Sequence, residues 1–167
     1  MELYLLRHAK AVVRGAAGYT DDSTRPLTPD GAKTMHRIAE GMRELGLEFD
    51  LILSSPFTRA RETAEIVARV FTAERNLKFE DALAVGGNHR LLIDRLTTEY
   101  RSYKHVMLVG HEPSMSALVS LLISGDPDLS ITMKKGGLCK LTVDSLKYGR
   151  CATLEWLLAP RQLIRIR

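Results

Sequence analysis

With 167 residues, 45% apolar and 26% charged, the chain has the size and composition of one globular domain able to bury a core without disulfides or metal. No apolar run reaches the roughly 18 residues that span a bilayer, no basic leader precedes the first apolar run, and Cys139 and Cys151 form neither a framework nor a CxxC pair, so a reduced, cytoplasmic protein without membrane association is expected. The net charge of +4 admits an anionic ligand, but the absence of any block of about five like charges argues against nucleic acid, and three arginines of the excess sit in the tail "PRQLIRIR".

Residues 2–6, "ELYLL", read as a buried strand, and residues 15–29, rich in Gly, Thr, Asp, Ser and Pro, as a loop. A helix is expected over 28–46. Thr28 caps it, Pro29 suits its first position, Met35, Ile38, Ala39, Met42 and Leu45 recur at helical spacing, and Gly46 ends it. "FDLILSS" (49–55) is a second apolar run stopped by Pro56. Ser55 and Pro56 then open a second helix with Phe57, Ala60, Ala64, Val67 and Phe71 on one face. "LKFED" (77–81) is a weaker strand, "GGN" (86–88) a turn, and "RLLIDRLTTEYRSY" (90–103) a third helix. "HVMLVG" (105–110) is another buried strand, and residues 113–124 form an apolar helix ending near Gly125. "LCKLTV" (138–143) and "TLEWLLA" (153–159) are late strands with little helix between them, as in an antiparallel hairpin.

Alternation of strand and helix predicts an α/β fold. A single domain over 1–167 would carry a largely parallel central sheet with helices on both faces and a late antiparallel pair. In such sheets ligands sit outside the carboxyl ends of the strands. Arg7 and His8 follow the first strand, "SSPFTRA" (54–60) the second, and "GHEP" (110–113) the strand "HVMLV". If these strands are parallel neighbours, one rim holds Arg7, His8, Ser55, Arg59 and His111. Two cations about 4 Å apart repel by about 4 kcal/mol at an effective dielectric near 20. A phosphate relieves that repulsion, and arginine offers paired donors that match its oxygens. Taken singly, an Arg-His dipeptide is a solvated pair, His111 a hydrogen-bonded core histidine and Arg59 a surface helix residue; three strand ends agreeing in chemistry and position carry the expectation.

"LYLLRHAKA", "ILSSPFTRARETA" and "VMLVGHEPSM" resemble the signature segments of the histidine phosphatase superfamily. "DDSTRPLTPDGAK" (21–33) and "ITMKKGGLCKLTVD" (131–144) are similar to segments of its small SixA-type phosphohistidine phosphatases, which lack an inserted cap domain. The resemblance implies that His8 is a neutral nucleophile whose other ring nitrogen donates to a backbone carbonyl. It implies that Arg7, Arg59 and His111 bind phosphate oxygens, and that a phosphohistidine enzyme intermediate is then hydrolysed by water. The implied partner is a phosphohistidine-containing protein such as a phosphotransfer domain. Inorganic phosphate is the implied product, with no cofactor or metal; HExxH, GxxxxGK[ST] and GxGxxG are all absent from the sequence.

Several positions stay open. Arg25 either adds a cation at the pocket edge or pairs with Asp21, Asp22 or Asp30. Ser55 caps the second helix rather than touching substrate, and Lys134 and Lys135 form a solvated turn. Ala9 stands where the family usually has Gly. In "EDALAVGGNHR" the family's general-acid Glu is replaced by Ala84, with Asp81 at the first position of that pattern. Missing acid catalysis favours a phosphoramidate over an alkyl phosphate, because imidazole leaves as a neutral group while an alkoxide does not. Asp81 or His89 would serve as acid if the loop folded inward. The alternatives are a small-molecule phosphomonoesterase or mutase of the same superfamily and, in another class, a non-catalytic phosphate-binding regulatory module.

Overall fold

A computed structural model describes residues 1–166; Arg167, the last of the tail arginines, lies outside them. Six strands form one sheet: β1 (Glu2–Arg7), β2 (Leu51–Ser54), β3 (Leu77–Phe79), β4 (His105–Gly110), β5 (Leu138–Val143) and β6 (Ala152–Leu158). Their order across the sheet is β3-β2-β4-β1-β5-β6. The pairs β1–β4, β4–β2 and β2–β3 are parallel, and β1–β5 and β5–β6 are antiparallel. The domain is thus α/β with a largely parallel sheet and a late antiparallel hairpin, as expected.

Both faces of the central strands are covered, which explains why they read as continuous apolar runs rather than alternating ones. Leu3, Leu5, Leu51, Leu53, Val106 and Leu108 project to one face, against helices α3 (His89–Thr98) and α4 (Ser114–Ser124). Tyr4, Leu6, Ile52, Met107 and Val109 project to the other, against α1 (Pro29–Glu44), α2 (Thr58–Val70) and α5 (Pro160–Ile166). No helix among the described residues is long and apolar enough to cross a membrane.

Helix ends follow local chemistry. Thr28 Oγ1 accepts from Gly31 N at 3.0 Å, capping α1. At its other end Gly46, with φ +69°, lets Gly46 N reach Arg43 O and Leu47 N reach Met42 O, closing the last carbonyls. The second helix starts later than the sequence suggests. Phe57, not Ser55, is its N-cap, and no side chain caps it. The third starts earlier and is shorter, because Asn88 Oδ1 accepts from both Arg90 N and Leu91 N. Helix α5 is unanticipated: the basic tail folds onto α1 through Leu163, which is fully buried.

A close approach fixes that docking. A Cβ at Gly41 would lie 2.0 Å from the Leu163 carbonyl oxygen. Replacing a helical glycine by alanine ordinarily stabilises, by about 0.5–1 kcal/mol. Here Gly41→Ala is expected to destabilise by about 1–3 kcal/mol through overpacking, read as a lower midpoint in thermal or urea unfolding. A raised midpoint would show that α5 is not seated on α1 as described.

Candidate active site

Strands β2, β4 and β1 lie side by side and run the same way, so their carboxyl ends meet at one rim. Arg7 is in register with Gly110, and Ser54 with Val109. The chain leaves each strand still tied to its neighbour: His8 N donates to Gly110 O at 3.0 Å, and Ser55 N to Val109 O at 2.9 Å. The segment 131–137 closes the other side. Arg7 Nη1 donates to Met133 O at 2.7 Å, and Gly136 N donates to Arg7 O at 3.0 Å. Gly136 sits at φ +77°, and a Cβ there would lie 2.8 Å from Ile38 Cδ1, so only glycine fills the place without strain. Lys134 and Lys135 of this segment are exposed.

His8 is buried. Its Nδ1 lies 2.7 Å from Ala9 O, so Nδ1 carries the proton and Nε2 keeps its lone pair. Burial pushes its pKa down to about 3, opposed by the bond to Ala9 and reinforced by His111, Arg59 and Arg7. The ring is neutral across the physiological range. Ala9 is tolerated because its φ is not positive; among the described residues Thr72 is the one non-glycine in that region. The Ala9 N–H donates to Thr63 Oγ1 at 3.1 Å, and Thr63 in turn donates to Arg59 O at 2.6 Å. Thr63 therefore ties the loop carrying His8 to the helix carrying Arg59.

The His111 ring lies 5.1 Å from that of His8. Burial first, then Arg59, brings its pKa to about 4. Its Nε2 is 2.8 Å from Ser55 Oγ, which accepts from Phe57 N at 3.2 Å. Ser55 thus orients His111 instead of capping α2. With the Ser55 hydroxyl donating to Nε2, Nδ1 of His111 carries the ring proton. That nitrogen and Nε of Arg7 are buried and have no hydrogen-bond partner among the described residues.

The rim also holds a carboxylate that sequence reading treated only as a partner for Arg25. Arg59 Nε donates to His8 Nε2 at 3.3 Å, its Nη1 to Asp22 O at 2.7 Å and its Nη2 to Asp22 Oδ2 at 2.9 Å. Arg25 Nη2 lies 2.8 Å and Arg14 Nε 3.1 Å from Asp22 Oδ1. Arg25 is therefore paired with Asp22, and its Nη1 bonds Val12 O. Burial raises the Asp22 pKa, but hydrogen bonds from Arg14 and Arg25 and the charge of Arg59 outweigh it and hold it at about 2.

The structure brings together Arg7, His8, Ser55, Arg59 and His111. It does not bring in the two reserve acids. Asp81 is exposed at the start of a 3-10 turn, Asp81–Leu83. His89 Nε2 lies 2.8 Å from Ser114 Oγ, and burial lowers its pKa. No hydrogen bond among the described residues links either to the His8 cluster. Nor do these residues contain a group of three or more His, Cys, Asp or Glu arranged to hold a metal.

Comparison with known proteins bears on family and fold. A family model described as the histidine phosphatase superfamily (branch 1) matches residues 3–84. An uncharacterized protein of Picosynechococcus is 33% identical over 141 residues, 84% of each chain. Phosphohistidine phosphatase SixA of Escherichia coli is 26% identical over 166 residues, 98% of this chain and 96% of its own. The structure of the protein histidine phosphatase SixA complexed with tungstate superposes with a TM-score of 0.82 at 26% identity, covering 98% of this chain and 99% of that one. Fold and relatives together define a phosphatase. The chain belongs to the histidine phosphatase superfamily.

Two depressed histidines have a consequence for stability. Their ordinary pKa is near 6.5, so as pH falls below that the unfolded chain binds protons that folded His8 and His111 refuse until about 3 and about 4. Stability is fully present above pH 6.5 and is lost as pH falls toward those values. Urea unfolding between pH 7 and pH 4 should show this decline, with a shallower slope in His8→Gln. An identical slope would place the His8 ring in contact with water.

Proposed function

We propose that this protein is a phosphohistidine phosphatase that works through a phosphoryl intermediate on His8. What carries the reading is the state of one ring: a buried, neutral imidazole with its tautomer fixed by Ala9 O and its bare Nε2 facing the Arg59 guanidinium. Nε2 attacks phosphorus, and an Nε2–P bond forms as the P–N bond to the substrate imidazole breaks. The departing electron pair stays on that imidazole, which leaves neutral when its other nitrogen carries a proton. Water then attacks phosphorus, the P–Nε2 bond breaks with its pair returning to His8, and the proton lost by water ends on orthophosphate.

Arg7 and Arg59 supply paired donors for the phosphoryl oxygens, and His111 Nδ1 a further one. The unpartnered Arg7 Nε and His111 Nδ1 are the two buried donors that a phosphoryl oxygen would satisfy. That the SixA relative is complexed with tungstate, a tetrahedral oxyanion, supports an oxyanion as the kind of ligand this chain takes. Ser55 positions His111; Arg25 acts through Asp22. The half-buried Ala84, the exposed Asp81 and the engagement of His89 Nε2 with Ser114 all favour a leaving group that needs no acid. The substrate we infer is a phosphohistidine protein such as a phosphotransfer domain, in the cytoplasm, where the free Cys139 and Cys151 would stay reduced.

The test is hydrolysis of a phosphohistidine peptide set beside a panel of phosphoglycerates and sugar phosphates. The phosphoramidate should have the highest kcat/KM, and His8→Ala should lower it by roughly 10³-fold or more. Acid-labile label should be trapped on His8. Faster turnover of an ester would assign the site to small phosphate esters, and label on another residue would exclude His8 as nucleophile.

A further inference from the structure

One guanidinium links the nucleophile to an acid. The side edge of Arg59, formed by Nε and Nη2, is the edge that offers two parallel N–H groups to a phosphate. Here that edge is divided: Nε bonds His8 Nε2 at 3.3 Å, and Nη2 bonds Asp22 Oδ2 at 2.9 Å. A phosphoryl group arriving at His8 and gripping this edge meets a carboxylate already on half of it. That carboxylate is built in place. It sits on the 3-10 turn Asp22–Thr24, whose cap Asp21 accepts from Ser23 N at 2.9 Å, and Arg14 and Arg25 hold its other oxygen. When a phosphate takes Arg59, Asp22 keeps two cationic partners, so the exchange leaves no orphaned charge.

We propose that Asp22 competes with the phosphoryl group for the Nε–Nη2 edge of Arg59 and so sets how weakly the pocket holds orthophosphate, keeping product release fast. The proposal rests on reading the rim as a phosphoryl site. Without Asp22, Arg59 and Arg25 would face the product without the carboxylate that now pairs them, Glu112 acting on Arg7 alone, and turnover would slow as affinity rose. Asp22 is a positioning and specificity residue, acting through Arg59 and not on phosphorus. It remains ionised well below neutral pH, so the competition persists across the working range.

The experiment is calorimetric titration of inorganic phosphate into the wild-type protein, Asp22→Asn and Asp22→Glu. Asp22→Asn should bind phosphate about tenfold more tightly, with phosphate becoming a correspondingly stronger inhibitor. Asp22→Glu, which restores the charge, should stay within about threefold of wild type. In an Arg59→Lys background the Asp22→Asn effect should largely vanish, because the shared edge is gone. Unchanged or weaker phosphate binding in Asp22→Asn, or tightening in Asp22→Glu equal to that in Asp22→Asn, would overturn the proposal while leaving the phosphoryl site standing. Failure of both the wild-type protein and Asp22→Asn to bind phosphate would overturn both.

Discussion

Everything at the rim depends on one pairing: β4 lies between β1 and β2 and runs parallel to both. That arrangement puts residues 7, 8, 55, 59 and 111 at one end of the sheet although they are spread over a hundred positions of sequence. Backbone bonds from His8 N to Gly110 O and from Ser55 N to Val109 O extend the ladder past the last strand residues. The functional side chains are therefore carried on backbone that is still part of the sheet. Precision comes from a central sheet whose strands are buried on both faces.

Electrostatics at this rim is a balance between burial and charge. Burial alone lowers both histidine pKa values, and the neighbouring guanidiniums push the same way, so neutrality of His8 has two independent causes. The guanidiniums are in turn kept at the rim by backbone carbonyls and by Asp22, since Arg7 bonds Met133 O and Arg59 bonds Asp22 O. Repulsion between cations is thus relieved in part by the protein itself.

Strand ends were legible from sequence because buried strands are short, apolar and abruptly ended, and because "RHAK", "SSPFTR" and "GHEP" repeat the same polar break. The helical registers of α1 and α2 were legible for the same reason, from residues such as Met35, Ile38, Ala39 and Met42. Asp22 was not singled out as a site residue, since an aspartate in a Gly- and Thr-rich loop looks like turn chemistry until its partner Arg59, 37 positions away, is placed beside it. Thr63 left a fainter trace: it lies four residues beyond Arg59, on the buried side of a helix. Helix α5 was masked by its arginines, since Leu163 and Ile164 alone mark the apolar face. Ser55 was misread because a serine before a helix suggests a cap, while the helix in fact opens three residues later at Thr58.

Insertion of β4 between two earlier strands has a biosynthetic consequence. When the first 100 residues have emerged from a ribosome, β1 and β2 lack the strand that pairs with both, and contacts such as Ala9 N to Thr63 Oγ1 are left to relate them. The imidazole of His8 then has neither Gly110 O behind it nor His111 beside it. The rim is therefore completed only after the strand that separates them has been synthesised and inserted into the gap.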